Sequence, residues 1–279
     1  MHWGGYTTDI ITVTQSKKWQ QGNSGMLGGM QSPGKIQAGF SNPGTVRFKS
    51  PGQIVTRTDG EVERVAKEAI LVTWPDHAIL GEEGGFREGT AGTTWYIDPI
   101  DGTMNFVRGI PFFSVSIGVA NYGNMVVGQV MDPLRNEHFR AWQGGGAWLG
   151  KEALRVSNVR DLDQANLSLQ STAGSRFVRE PGAMLELHRR FQKTRKLGSI
   201  ALELAYVAAG RLDVLLAGET RPQPWWDIAG GWVLVEEAGG VLEDLDGGPV
   251  TPVSSHLIAG HGELVRQFRA LHEGKGPGG

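Results

Sequence analysis

Thr94-Trp95-Tyr96-Ile97-Asp98-Pro99-Ile100-Asp101-Gly102-Thr103 carries more chemistry than any other stretch of the chain. Its first residues are β-formers, and the strand they predict ends on Asp98, because proline brings no N–H to a ladder and holds its predecessor extended. Asp101-Gly102-Thr103 then reads as a sharp turn in which Gly102 can take positive φ and Thr103 opens a short helix. Free backbone N–H groups would point outward beside two carboxylates. Such groups bind phosphate, whereas adjacent carboxylates repel it unless a cation lies between. A metal together with a phosphate reconciles the two.

Two more acidic points share that character: Gly81-Glu82-Glu83-Gly84-Gly85 after a short strand, and Trp225-Trp226-Asp227 leading into a helix. Were Glu82, Asp98, Asp101 and Asp227 to converge, each pair about 5 Å apart would cost on the order of 3 kcal/mol at an effective dielectric near 20. A divalent cation reverses that sign. The donor set is all oxygen, with no Cys in the chain and no paired His, and so favours Mg2+ or Mn2+ over Zn2+. Singly, an Asp-Pro or Asp-Gly is only a turn; the combination is what points to a site.

Around these motifs, 279 residues suffice for one large or two moderate domains. The absence of Cys excludes disulfides, thiolate metal sites and cysteine nucleophiles. With 27 basic against 29 acidic residues, the net charge of −2 gives no global field for nucleic acid. No run approaches the roughly 20 apolar residues of a membrane span and no signal pattern opens the chain, so a cytoplasmic protein with no membrane partner is expected. Residues 1–48 form an atypical Gly-rich segment, read as loop-like or poorly ordered. Residues 49–160 read as an α+β lobe with the metal and phosphate site, and 161–279 as an α/β lobe completing it. Within the first lobe, Thr58-Asp59-Gly60-Glu61 has the form of a capping box, starting a helix whose inward positions Val62, Val65, Ala66, Ala69, Ile70 and Thr73 run to Pro75. Strands are expected at 77–80, 94–98, 114–120, 125–131 and 137–142. In the second lobe, helices at 183–192, 199–209, 227–238 and 263–272 alternate with strands near Leu167, Val214, Val241 and Ile258.

Taken in order, Gly81-Glu82-Glu83, Asp98 through Thr103, Trp226-Asp227-Ile228-Ala229-Gly230 and Glu237-Ala238-Gly239-Gly240 resemble the inositol monophosphatase family of magnesium-dependent sugar phosphatases, which includes fructose-1,6-bisphosphatases and bisphosphate nucleotidases. The resemblance implies a mixed α+β fold of the α/β class, a layered αβαβα sandwich, and two or three Mg2+ ions per site with Mn2+ as substitute. It implies one metal on Glu82, Asp98 and the Ile100 carbonyl, and a second on Asp98, Asp101 and Asp227. A water activated there would attack phosphorus in line with the leaving alkoxide, without a covalent phosphoenzyme. Thr103, oriented by Asp59, would position or deprotonate that water together with Glu82. For Asp59 a first-turn carboxylate favoured by the helix dipole is an equal reading.

The Gly102 and Thr103 amides would hold phosphate, while Gly198, Ser199, Ile200 and, with a one-residue offset, Glu219 would line the substrate's hydroxyl face; the local alternative for Ser199 is an ordinary helix cap. Asn105-Phe106 after Met104 resembles the inositol branch, so the implied substrate is a small phosphorylated polyol, inositol 1-phosphate first. Fructose 1,6-bisphosphatase, histidinol-phosphatase and 3′(2′),5′-bisphosphate nucleotidase activities are the alternatives within the superfamily. Lithium sensitivity and a homodimer belong to the same family expectation. The family's long N-terminal amphipathic helix has no counterpart pattern in residues 1–48.

Three other signals carry less. Gly145 to Glu152 nearly spells a phosphate-binding loop, but Glu152 stands where Ser or Thr would ligate magnesium, so a glycine-rich hairpin is expected. His77, His138 and His188 read as surface or strand-end residues, and the nine tryptophans mostly as core, with Trp225 and Trp226 as candidates to wall the pocket. The basic run Arg189 to Lys196 reads as a solvated helix end, and keeps open a non-catalytic role as an RNA or transcription-machinery partner.

Overall fold

A computed structural model of the chain describes residues 33–50, 53–171, 179–218 and 222–272. After α1 (Pro33–Ser41) and a hairpin of β1 (Val46–Ser50) and β2 (Gln53–Thr56) comes α2 (Arg57–Thr73). A first, eight-stranded sheet then forms from β3 (Ala78–Gly81), β4 (Gly85–Arg87), β5 (Thr93–Asp101), β6 (Ser114–Asn121), β7 (Asn124–Asp132), β8 (Glu137–Trp142), β9 (Gly146–Leu149) and β10 (Glu152–Ala153). Its order is β10-β9-β8-β7-β6-β5-β3-β4, antiparallel except for the parallel β3–β5 pair. The short α3 (Thr103–Arg108) interrupts it after β5. A second, five-stranded sheet has the order β12-β11-β13-β15-β14, from β11 (Asn166–Ser171), β12 (Lys193–Arg195), β13 (Val214–Gly218), β14 (Val241–Asp244) and β15 (His256–Gly260). The remaining helices are α4 (Pro181–Arg190), α5 (Ile200–Ala208), α6 (Trp225–Glu237) and α7 (Gly262–His272).

Apolar burial stacks these elements in five layers. Ala66 and Ile70 of α2 pack on Ile79, Trp95 and Ile97 of the first sheet's outer face. Leu202, Leu204 and Ala205 of α5 and Val233 and Leu234 of α6 fill the space between Val130 and Phe139 of the first sheet and Leu215 and Ala259 of the second. Leu187 of α4 and Leu264 and Phe268 of α7 cover the far side. The result is an αβαβα sandwich, as the sequence led one to expect. Gly146 to Ala153 forms the expected hairpin.

α6 lies against the first sheet nearly backbone to backbone. A Cβ on Gly118 would come 2.4 Å from that of Ala229, and one on Gly230 would sit 2.6 Å from Ser116 Oγ and 2.7 Å from the Gln129 carbonyl. Glycine is required on both sides of this contact, and the contact brings the first turn of α6, with Asp227, beside the strand that carries Asp98.

Several expectations need correction. Residues 33–48 are not all loop: Ile36 and Phe40, one turn apart on α1, pack on Phe106 and Phe113 and hold a helix there by burial, which two apolar residues in a Gly-rich stretch do not announce. Residues 1–32 lie outside the described residues. β5 does not stop at Asp98: it continues to Asp101 across a register shift, and the bulge lets Pro99 pass through without a ladder hydrogen bond. The capping box sits two residues early, with Thr56 as the cap and Asp59 at the third helical position. His77 is buried between Trp74 and Trp95, accepting the Trp95 indole N–H at 2.9 Å. Of the tryptophans among the described residues, Trp95 alone is fully buried.

Replacing Gly230 with Ala is expected to cost roughly 1–3 kcal/mol, because neither Ser116 nor the Gln129 backbone can withdraw. A lowered urea midpoint with unchanged m-value is the reading that checks it.

Candidate active site

The site forms where three chain segments end together. Asp98 and Asp101 stand on either side of the β5 bulge, only 2% and 7% exposed. Asp98 Oδ1 accepts the Ile100 N–H at 3.0 Å, closing the turn between them. Gly102 follows at φ 94°, a left-handed conformation that glycine adopts without strain, and starts α3, whose first N–H groups have no partner within the helix. Thr103 donates its hydroxyl to the Ile100 carbonyl at 2.9 Å and lies 3.3 Å from Asp59 Oδ1. The Ile100 carbonyl, expected as a ligand, therefore also serves as an acceptor within the turn.

Asp59 meets both readings given to it. Its Oδ2 accepts the Thr56 N–H at 2.9 Å and the Thr56 hydroxyl as the acid of the capping box, which leaves Oδ1 for Thr103. It is fully buried, and desolvation outweighs the Thr56 hydrogen bonds, so its pKa is raised.

Asp101 does something the sequence did not indicate. Its Oδ2 accepts the Ser199 hydroxyl at 2.6 Å and the Ala201 N–H at 2.7 Å. Ser199 occupies the N-cap position of α5 but makes no side-chain cap bond of its own. A carboxylate from the first sheet thus caps a helix of the middle layer, and the expected local cap at Ser199 is replaced by this one. Gly198, at φ 87°, and Ile200 flank the contact; Gly198 is exposed and Ile200 buried. Glu219 lies outside the described residues.

Glu82 caps the end of β3 in a turn held from below by buried Glu63, which accepts the Glu83 and Gly84 N–H groups, each at 2.7 Å. Lys49 pairs with Glu82 at 3.0 Å and with Glu83. Sequence reasoning missed both Lys49 and Glu63. Glu63 was legible as the residue one turn after Asp59 on the inward stripe of α2; Lys49 had no local signal.

The electrostatics show that the acids feel one another. Desolvation, then Glu82, Asp101, Asp227 and Asp59, push Asp98 well above the usual carboxylate range. Desolvation also raises Asp101 to about 6, against the opposing bonds from Ser199 and Ala201. Among the described residues, no three acidic, His or Cys side chains already stand so as to hold an ion. Lys49 engages Glu82, and Ser199 and Ala201 engage Asp101. The chemistry of the set nonetheless fits a hard cation, because buried, mutually repelling oxygen donors are what such an ion offsets.

A model of the inositol monophosphatase family matches residues 32–273. The chain belongs to that family. It is 41% identical over 228 residues to the Nus factor SuhB of Pasteurella multocida, covering 79% of this chain and 83% of the relative. To the fructose-1,6-bisphosphatase/inositol-1-monophosphatase of Thermotoga maritima it is 39% identical over 212 residues, 75% of this chain and 78% of the relative. The crystal structure of the extragenic suppressor protein SuhB from Bartonella henselae superposes with a TM-score of 0.81 at 30% identity, over 87% of this chain and 94% of that one. The fold is the mixed α/β fold of inositol monophosphatases and fructose-1,6-bisphosphatases.

Raised carboxylates fix the sign of the pH dependence. Between the unfolded value of 3.8 and the folded value of about 6, Asp101 binds more proton in the native state, so the metal-free protein loses stability as pH rises through that window. Asp98 acts in the same direction. Scanning calorimetry in chelator should show a melting temperature falling over this range, and D98N should melt several degrees higher than the parent at neutral pH.

Proposed function

We propose that the chain is a Mg2+-dependent phosphomonoesterase of small polyol and sugar phosphates, with inositol 1-phosphate as its first substrate. The observation that carries this reading is the buried Asp98–Asp101 pair beside the start of α3, whose N-cap Gly102 makes no side-chain cap bond, with Asp227 and Glu82 acting on the same charge. Glu82, Asp98, the Ile100 carbonyl, Asp101 and Asp227 would hold the cations, Mn2+ substituting for Mg2+. When bound there, divalent ions supply neutralising charge and an acidified water.

The protein's own groups do the rest. The Gly102 and Thr103 amides bind phosphate oxygens at the positive end of α3. Thr103 Oγ1 takes a proton from the attacking water as its own proton passes to Asp59 Oδ1, and the capping box holds Asp59 in place for that transfer. Glu82 orients the same water. Of Gly198, Ser199 and Ile200, the exposed Gly198 would meet the substrate's hydroxyls while buried Ser199 and Ile200 would back it, with Glu219 as a further acceptor. Trp225 and Trp226, both half-buried in the first turn of α6, wall the mouth beside Asp227.

A second reading concerns the surface. Relatives bear the name Nus factor SuhB, and Arg189, Lys193, Arg195 and Lys196 are exposed along the last turn of α4, the edge strand β12 and the residue that follows it. That edge is suited to phosphate-rich RNA or an acidic protein of the transcription machinery. Cytoplasmic residence accords with both readings, and among the described residues no helix is long and apolar enough to cross a membrane. A homodimer is the family expectation carried into this proposal.

Phosphate release should be measured over inositol phosphates, fructose 1,6-bisphosphate, histidinol phosphate, adenosine 3′,5′-bisphosphate and NADP. Turnover should require Mg2+, fall in millimolar lithium, and drop on the order of a thousandfold in D101N. Wild-type turnover surviving in D101N or in chelator would remove the phosphatase reading, whereas retention of an RNA or polymerase partner by D101N would leave the second reading standing by itself.

A further inference from the structure

The turn Leu197-Gly198-Ser199 meets Asp101 through the Ser199 hydroxyl, and its Gly198 carbonyl would lie 3.0 Å from a Cβ placed on Gly102. The phosphate-binding turn and this second turn are therefore fitted backbone to backbone, and a shift in one displaces the other. Two side chains from different elements fix the second turn. Asn105 of α3 donates its amide to the Leu197 carbonyl and to the Phe112 carbonyl, both at 2.7 Å. From the opposite side, Glu203 of α5 turns back toward the start of its own helix. Its Oε1 accepts the Leu197 N–H at 3.0 Å, the Gly198 N–H at 3.0 Å and the Gln170 side-chain amide of β11 at 2.7 Å.

Glu203 is wholly buried, and none of the roles assigned above uses it. Burying a carboxyl is costly unless its bonds do something. We infer that Glu203 is a positioning residue of the active site, which holds the Leu197–Ser199 turn against Asp101 and Gly102 by accepting two successive backbone N–H groups on one oxygen. The inference rests on the phosphatase reading for its catalytic consequence and on the hydrogen bonds alone for its structural one.

The rest of the environment agrees. Oε1 takes three donors, while the other oxygen, Oε2, is closed to solvent and, like the Ser168 hydroxyl, makes no hydrogen bond. An uncharged carboxyl suits an oxygen shut away from both water and hydrogen-bond donors. Desolvation raises the Glu203 pKa to about 7 over the opposing bond from Gln170. The function required of the side chain is acceptance at Oε1, which a glutamine can supply and a methionine of similar length cannot.

The test compares Glu203→Gln and Glu203→Met in the full chain. Three quantities are read: Mg2+-dependent phosphate release from inositol 1-phosphate, melting temperature, and amide hydrogen exchange at Leu197 and Gly198. Gln should keep kcat and slow exchange close to the parent. Met should exchange at both amides much faster while the rest of α5 stays protected, and should lose about a hundredfold in kcat, the scale expected when reacting groups are misplaced by about 1 Å. Parent-like kcat or exchange in Met overturns the inference, as does a folded Gln variant impaired more than tenfold. If Met does not fold, the Gln result decides by the same criteria. Should the parent itself release no phosphate, the phosphatase reading fails, and the exchange rates still judge the clamp.

Discussion

One carboxylate joins the two halves of this molecule. Asp101 projects from the end of the first sheet and receives the hydroxyl of Ser199 and the N–H of Ala201 from the opening turn of a helix that packs on the second sheet. Helix N-termini attract negative charge and carry N–H groups without intrahelical partners, so the interaction satisfies both sides at once. It also costs. The group is nearly removed from water, and its raised pKa shows that desolvation outweighs the capping bonds. The fold therefore sustains a strained acid at the point where its layers meet, next to a second acid, Asp98, in the same condition.

The architecture keeps this concentration of charge from being dispersed. Glycines at 118 and 230 let α6 approach the first sheet at backbone distance and carry Asp227 toward Asp98. Glu63 fixes the turn behind Glu82 through two N–H groups, the capping box fixes Asp59, and Glu203 and Asn105 fix the turn behind Ser199. Each outer group satisfies backbone donors or acceptors of the turn it holds. The acids are thus held by rigid neighbours and cannot relieve their repulsion by moving apart. A protein selected for stability alone would neutralise them.

Much of this was legible in the residues. Apolar periodicity located α2, α5, α6 and α7 and the long strands of the first sheet, because long amphipathic or β-rich runs respond to local rules. The dense acidic motif located Asp98, Asp101, Gly102 and Thr103 for a similar reason: turn geometry and residue chemistry coincide within a few positions. Errors came where burial decided. Residues 33–41 are helical because Ile36 and Phe40 find an aromatic surface more than sixty residues away in Phe106 and Phe113. His77 is interior because two tryptophans enclose it.

The sequence by itself determined which chemical groups are available and roughly where the long periodic elements lie: an oxygen-only acid set, the turn at Asp101-Gly102, and no thiol chemistry. Those properties depend on a residue and its near neighbours. Only the tertiary structure decided that Asp101 caps a distant helix, that Asp59 serves a cap and Thr103 at the same time, that Lys49 pairs with Glu82, and that Glu203 is buried with its oxygen on two backbone amides. Each of these joins groups far apart in the chain or turns a side chain away from its local preference, and only packing that closes several layers together can impose such contacts.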